Sequence, residues 1–191
     1  TQEEEDMTIS GMGAMYENRV SAGMSVPPVT GETSPRYFID RPEKAHAAPF
    51  DEHILLVHEC CMTEEGTEAV KKVMNHPYVA LCPCSNIFIH NALPPVDMIR
   101  RSGIKITVGT DSLSSNDDLD MVRELFCLQE NFPQVPLGEM IFWATANGAD
   151  FLGKGDVYGK MLPGMKPGLV FIDHLSENGY LTTASVSQRI I

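Results

Sequence analysis

Three short segments of the sequence contain side chains that could bind a metal ion or transfer a proton. They are His58, the run Cys82-Pro83-Cys84-Ser85-Asn86 and the run Gly109-Thr110-Asp111-Ser112. A carboxylate such as that of Asp111 can bind a divalent metal or act as a general base. A neutral imidazole is a common metal ligand and a good donor to developing charge. We therefore predict a functional site that includes Asp111 and His58.

Each of these residues also has a structural interpretation. Asp111 could cap a helix or close a turn, although Asp117 and Asp118 lie closer to the start of the next helical pattern. A lone histidine such as His58 is often a satisfied structural residue. The prediction that both residues follow strands of one sheet favours a functional role for both.

The cysteines do not favour a zinc site. Cys82 and Cys84 are separated by one residue, and Cys60 and Cys61 are adjacent, whereas structural zinc sites use Cys pairs with two to four residues between them. We expect instead that proline ends the strand after Cys82, and that the serine and asparagine that follow present their hydroxyl and amide groups to a pocket.

The elements that must position these side chains alternate between strand and helix patterns. Short apolar runs predict buried strands at 53–58, 78–82 and 104–108, and another strand at 168–172. Helical patterns occupy 6–24, 64–75, 94–101, 117–129 and 137–152. The carboxyl ends of parallel strands are the usual location of active sites in α/β folds. The strand ends follow one another at close to the roughly 30 residues per unit of a (β/α)8 barrel, so we predict an α/β fold that is part of such a barrel.

Three regions follow from this reading. Residues 1–52 are expected to form a helix and an irregular, proline-rich connection, and residues 53–152 the β/α units. Residues 153–191 are expected to form a glycine-rich turn and further strands.

Composition excludes several classes of partner. The formal net charge of −12 disfavours nucleic acid and anionic membrane surfaces. No run approaches the roughly 20 apolar residues of a membrane span. The five cysteines are an odd number, which suits a reducing compartment better than a disulfide framework. We expect a globular, cytoplasmic protein.

The sequence resembles the C-terminal part of the metal-dependent amidohydrolase superfamily, in the branch of guanine, S-adenosylhomocysteine and aminofutalosine deaminases and triazine chlorohydrolases. The matching motifs are Leu56-Val57-His58, Cys82-Pro83-x-Ser85-Asn86-Ile87, Gly109-Thr110-Asp111-Ser112-x-x-Ser115-Asn116, and Ala144-Thr145-Ala146-Asn147-Gly148-Ala149. The turn at 159–168 also resembles the family's return to its small β-sandwich. The resemblance implies strands six to eight of a (β/α)8 TIM barrel, with the start of that β-sandwich.

The resemblance also implies roles for individual residues. Asp111 is similar to the eighth-strand aspartate that binds the metal, zinc or iron, and takes a proton from the attacking water. His58 is similar to the sixth-strand histidine that orients the substrate. Substrate-binding roles are implied for five more residues: Ser85, Asn86, Ser112, Ser115 and Asn116. The implied reaction is hydrolysis of a C–N bond, by metal-activated water, in a small heteroaromatic substrate.

Two parts of the family pattern are missing from these 191 residues: a His-x-His pair, and the fifth-strand histidine with its following glutamate. We therefore expect a fragment that is inactive alone and needs the N-terminal half of the barrel. The alternatives are a non-catalytic half-barrel that binds or complements a partner, and a chlorohydrolase or ring-amide hydrolase. The sequence leaves homo-oligomer formation open.

Overall fold

A computed structural model describes residues 2–44, 46 and 49–191. The α-helices there are α1 (Gln2–Ser10), α2 (Ala14–Ser21), α3 (Ser34–Lys44), α4 (Glu64–Val73), α5 (Pro83–His90), α6 (Val96–Ser102), α7 (Met121–Asn131), α8 (Leu137–Phe142) and α9 (Gly148–Phe151). The strands are β1 (Phe50–Val57), β2 (Met74–Leu81), β3 (Lys105–Val108), β4 (Val170–Asp173) and β5 (Val186–Arg189).

A parallel sheet in the order β1-β2-β3 supports the site. Val57 is in register with Ala80, and Leu81 is in register with Val108. The pairing continues one residue beyond β1, where the His58 amide donates to the Ala80 carbonyl at 3.0 Å. The three carboxyl ends are therefore level, and the residues that follow each strand meet at one edge.

Helices on the sheet bury its central strand. Val79 and Leu81 of β2 have no exposed surface, as expected for a parallel strand covered on both faces. The amphipathic helix α4 begins at the predicted cap, Thr63, whose hydroxyl accepts the Gly66 amide at 3.1 Å. Its inner face packs Val70 into the core that also contains β2, and this packing fixes β1 and β2 beneath the site.

The irregular, proline-rich connection expected within residues 1–52 is regular in part, because α3 occupies Ser34–Lys44 and β1 begins at Phe50. Residues 45, 47 and 48 lie outside the described part of the chain. The carboxylate of Glu5 accepts the Ser34 amide at 3.0 Å and so satisfies a donor that the helix start leaves open. Pro35 is in the first turn, where the missing N–H of proline costs little.

The segment after Cys82 is helical as well. The sequence predicts that Pro83 ends the preceding strand, and the structure shows that Pro83 is the first residue of α5. Its fixed φ suits that position. The motif residues Ser85 and Asn86 therefore lie on the first turn of a helix and not on a loop.

The remaining predicted elements hold in outline, but β1, predicted to be buried, is an edge strand of the sheet with Val57 47% exposed. The helical pattern at 6–24 is divided into α1 and α2 around Gly11 and Gly13, and α8 continues through a π-helical turn, Trp143–Asn147, into α9. The strand predicted at 168–172 corresponds to β4, which pairs antiparallel with β5. The bounds of the three predicted regions stay a prediction. Among the described helices, none combines the length and the apolar character needed to cross a bilayer.

Candidate functional site

Asp111 lies just beyond the carboxyl end of β3. Its backbone is left-handed, with φ of 58°, a conformation that is uncommon for residues other than glycine. Oδ2 of Asp111 accepts hydrogen bonds from the hydroxyls of Ser85 at 2.8 Å and Ser115 at 2.9 Å. These two bonds, that from Ser85 first, hold the pKa of the Asp111 carboxyl below its ordinary value. Asp111 is therefore a carboxylate at neutral pH.

His58 lies at the end of β1, and it also has a left-handed backbone, with φ of 70°. Its Nδ1 is 2.7 Å from Oδ1 of Asn86. An amide oxygen only accepts, so Nδ1 of His58 donates in this contact. Nε2 is 3.8 Å from Oδ2 of Asp111. A ring nitrogen and a carboxylate oxygen at this distance suit a cation or a proton between them.

The structure brings most of the predicted site residues together. Ser85 and Asn86 are buried on the first turn of α5 and hold Asp111 and His58 respectively. Ser115 is buried and holds Asp111 from the other side. The substrate-binding roles of these residues stay a prediction.

Two predicted residues face elsewhere. The hydroxyl of Ser112 is exposed and lies 2.6 Å from that of Ser114. Asn116 is buried, and its amide donates to the carboxylate of Glu124 at 2.6 Å. Of the two, Ser112 is the residue that solvent can reach.

One polar atom of the site has no partner among the described residues. Nδ2 of Asn86 is buried and makes no hydrogen bond there. A buried donor left unsatisfied costs about 1–3 kcal/mol. Such an atom beside His58 indicates that the site needs an acceptor beyond those that the described residues provide.

Two residues near the site were missed by sequence reasoning. Glu59 follows His58 and lines a cavity of about 510 Å³ with it, and burial raises the pKa of the Glu59 carboxyl to about 7. Glu124 is 1% exposed on α7. The sequence contained a signal for each residue. Glu59 is a charged residue close after a strand end, and Glu124 is one helical turn from Leu128 on the apolar face of α7.

The side chains at this edge are of types that bind a divalent metal, but they are fewer than a metal site usually needs. The carboxylate of Asp111 and the Nε2 atom of His58 are chemically suitable ligands. Catalytic metal sites usually need three protein ligands. In the part of the chain that the structure describes, no three His, Cys, Asp or Glu side chains converge on one point. These residues therefore supply two donors, and further ligands would have to come from elsewhere.

Comparison with known proteins gives a consistent set of relatives. The matching proteins include several 5-methylthioadenosine/S-adenosylhomocysteine deaminases. That of Pelotomaculum thermopropionicum is 32% identical over 148 residues, which cover 74% of this chain and 32% of the relative. That of Desulfitobacterium hafniense DCB-2 is 32% identical over 130 residues, covering 65% of this chain and 30% of the relative. The chain thus spans about a third of the length of these curated relatives.

Solved structures show the same fold at lower identity. Helicobacter pylori aminofutalosine deaminase in complex with methylthio-coformycin superposes with a TM-score of 0.70 and 22% identity, over 88% of this chain and 40% of that one. An adenosine deaminase from Xanthomonas campestris with bound zinc gives a TM-score of 0.61 and 21% identity, over 90% and 36% of the two chains. These likenesses show an amidohydrolase-type α/β fold. The model of the amidohydrolase family matches residues 30–189, and the chain belongs to that family.

Proposed function

We propose that this chain supplies the Asp111–His58 edge of a metal-dependent deaminase. The enzyme would hydrolyse a C–N bond of a small heteroaromatic substrate. The observation that carries the proposal is the distance of 3.8 Å between Nε2 of His58 and Oδ2 of Asp111. The relatives are deaminases of adenine-containing compounds by name, which supports amino-purines as the substrate class.

Asp111 is proposed as a metal ligand and as the acceptor of a proton from the attacking water. The hydroxyls of Ser85 and Ser115 keep its pKa low, so the ionised form is available at neutral pH. A divalent metal, zinc or iron, when bound, lowers the pKa of a coordinated water. The two serines orient the carboxylate, so its angle to the incoming water is fixed before substrate arrives.

His58 is proposed to orient the substrate. Its hydrogen bond to Asn86 fixes both the tautomer and the ring plane. Nε2 then faces the open side of the edge, where it can accept a proton from the substrate or return one to it. Ser112, exposed in the loop directly after Asp111, is proposed to contact the substrate.

We further propose that β1, β2 and β3 correspond to strands six to eight of a (β/α)8 barrel. Two observations support this: the chain covers about a third of its relatives, and the two donors found here fall short of a metal site. The remaining ligands would come from further barrel strands. The five cysteines, all free, support a reducing, cytoplasmic location.

The test is ammonia release from adenosine, 5-methylthioadenosine, S-adenosylhomocysteine and guanine, with a chlorotriazine included as a different chemistry. It uses the chain joined to the N-terminal half of a relative, with and without added zinc. Asp111→Asn is compared with Asp150→Asn, an aspartate beside the opposite end of β3. Zinc-dependent release that only the first substitution removes would support the proposal. Equal activity of the two variants would contradict it.

A further inference from the structure

One buried carboxylate lies between the two segments that hold Asp111. Glu124 of α7 is 1% exposed. Its Oε2 accepts the backbone amide of Cys84 at 3.0 Å, and its Oε1 accepts the side-chain amide of Asn116 at 2.6 Å. One side chain therefore contacts both the start of α5 and the end of the loop after β3.

Each contact fixes a segment next to a residue that binds Asp111. The amide of Cys84 is in the first turn of α5, where backbone donors have no partner within the helix. The next residue, Ser85, donates to Asp111. On the other side, Asn116 follows Ser115, which donates to the same oxygen of Asp111.

These contacts form a closed ring around the site. It runs from Glu124 through Cys84 and Ser85 to Asp111, and returns through Ser115 and Asn116. We propose that Glu124 is a positioning residue that sets the distance between the two hydroxyls and thereby the orientation of the Asp111 carboxylate. This inference rests on the function proposed above for Asp111.

Stability alone is a poor explanation for a carboxylate at this position. Burial raises the pKa of Glu124, and the hydrogen bonds from Cys84 and Asn116 only oppose that rise. In the described part of the chain, no lysine or arginine forms an ion pair with it. Well-packed apolar residues often match or exceed the stability that buried charges provide. A requirement for two acceptors at fixed positions explains the glutamate directly.

The same helix offers a matched control. Gln129 of α7 is 9% exposed, and its side chain also makes two hydrogen bonds, to the amide and the carbonyl of Leu181 at 2.9 and 3.0 Å. These bonds connect α7 to the C-terminal segment and not to the site. Gln129→Leu therefore removes two buried hydrogen bonds from α7 without touching the ring around Asp111.

The experiment compares Glu124→Leu, Glu124→Gln and Gln129→Leu in the active fusion described above, with Asp111→Asn as reference. Glu124→Leu should lower kcat about 100-fold, the scale expected for a small displacement of a reacting group, while KM changes little. Glu124→Gln keeps one acceptor at the same place and should recover a large part of that loss. Gln129→Leu should retain kcat even though its melting temperature falls.

A measurement on the 191-residue chain itself removes the dependence on turnover. In amide NMR spectra the Cys84 proton should shift upfield in Glu124→Leu, move less in Glu124→Gln and stay in place in Gln129→Leu. Equal kcat for Glu124→Leu and Gln129→Leu, or no recovery in Glu124→Gln, would overturn the positioning role. If Asp111→Asn is fully active, the proposed function itself fails, and the two failures are thus distinguishable.

Discussion

Two aspartates lie beside opposite ends of β3, and both have a lowered pKa for different reasons. Asp111, at the carboxyl end, accepts hydrogen bonds from two neutral hydroxyls. Asp150, at the amino end, accepts the ammonium of Lys105 at 2.5 Å and the phenol of Tyr78 at 2.7 Å. The pKa of Asp150 is lowered first by Lys105 and then by Tyr78.

The difference between the two sets of donors bears on the chemical role that is proposed for Asp111. The charge of Asp150 is already neutralised by a lysine, so little of it is available to a further cation. Hydroxyl dipoles stabilise the charge of Asp111 without cancelling it, and the hydrogen bonds from Ser85 and Ser115 are the largest causes of its lowered pKa. A lowered pKa is therefore common to both aspartates, and the kind of donor is what distinguishes the one proposed for chemistry.

The strongest test of this comparison is Asp111→Asn. The two serine hydroxyls can still donate to the new amide oxygen, so the fold should persist while the charge is lost. We expect the deamination rate of the active fusion to fall about a thousandfold, which corresponds to about 4 kcal/mol of barrier. Steady-state assays together with thermal denaturation check this. A rate within about tenfold of wild type would remove Asp111 from the chemistry.

His58→Ala is expected to have the next largest effect. It should lower kcat about 100-fold through loss of an oriented proton donor or acceptor, with bound metal unchanged by elemental analysis. His53→Ala is the matched control, because His53 is on the same strand and its Nδ1 contacts the Phe151 carbonyl at 3.0 Å, away from the site. A parallel loss of metal in His58→Ala would make His58 a ligand instead.

Glu59→Gln tests how the titration of a buried carboxyl group, close after the end of β1, affects the free energy of unfolding. Burial raises the Glu59 pKa from 4.5 to about 7 in the folded chain. Its contribution to stability is therefore complete below about pH 4.5 and is lost as the pH rises through about 7. Glu59→Gln should raise the free energy of unfolding by about 1 kcal/mol above that range and change it little below.

Urea denaturation at about pH 5 and about pH 8 measures this difference. Glu65→Gln, at an exposed position, is the control and should show no such dependence. A gain of the same size at both pH values would exclude the titration of Glu59 as its cause.

The smallest effect is expected for Asp150→Asn. The side chains of Lys105 and Asp150 are 52% and 43% exposed, so solvent screens the pair and its loss should cost about 0.5 kcal/mol. Because the pKa of Asp150 is lowered, its contribution is present above the ordinary carboxyl value of 3.8 and is lost as the pH falls below it. Acid denaturation of the variant and the wild type should therefore converge. A large loss of turnover would mean that the two ends are coupled.

The sequence was sufficient to predict which segments meet at the site. Buried apolar runs predicted three parallel strands, and level strand ends bring His58, Ser85 and Asp111 to one edge whatever the details of the loops. The strand pattern alone therefore predicted which residues lie at that edge of the sheet. The family motifs implied the roles that are now proposed for these residues.

Other features depended on contacts that no local pattern contains. Pro83 is compatible with both a strand end and a helix start, and the structure shows the second. The start of α3 is satisfied by Glu5, 29 residues earlier in the chain. The position of Glu124 between two segments is likewise a tertiary property, which is why its role did not emerge from helix periodicity.

The left-handed backbone at His58 and Asp111 has a consequence for attempts to engineer this chain. Glycine adopts such a conformation at lower cost than any other residue, so both positions carry a local penalty that selection for heat tolerance would readily relieve. A library screened on melting temperature alone should therefore enrich glycine at positions 58 and 111. Its most stable members would be those from which the two side chains proposed for chemistry had been removed.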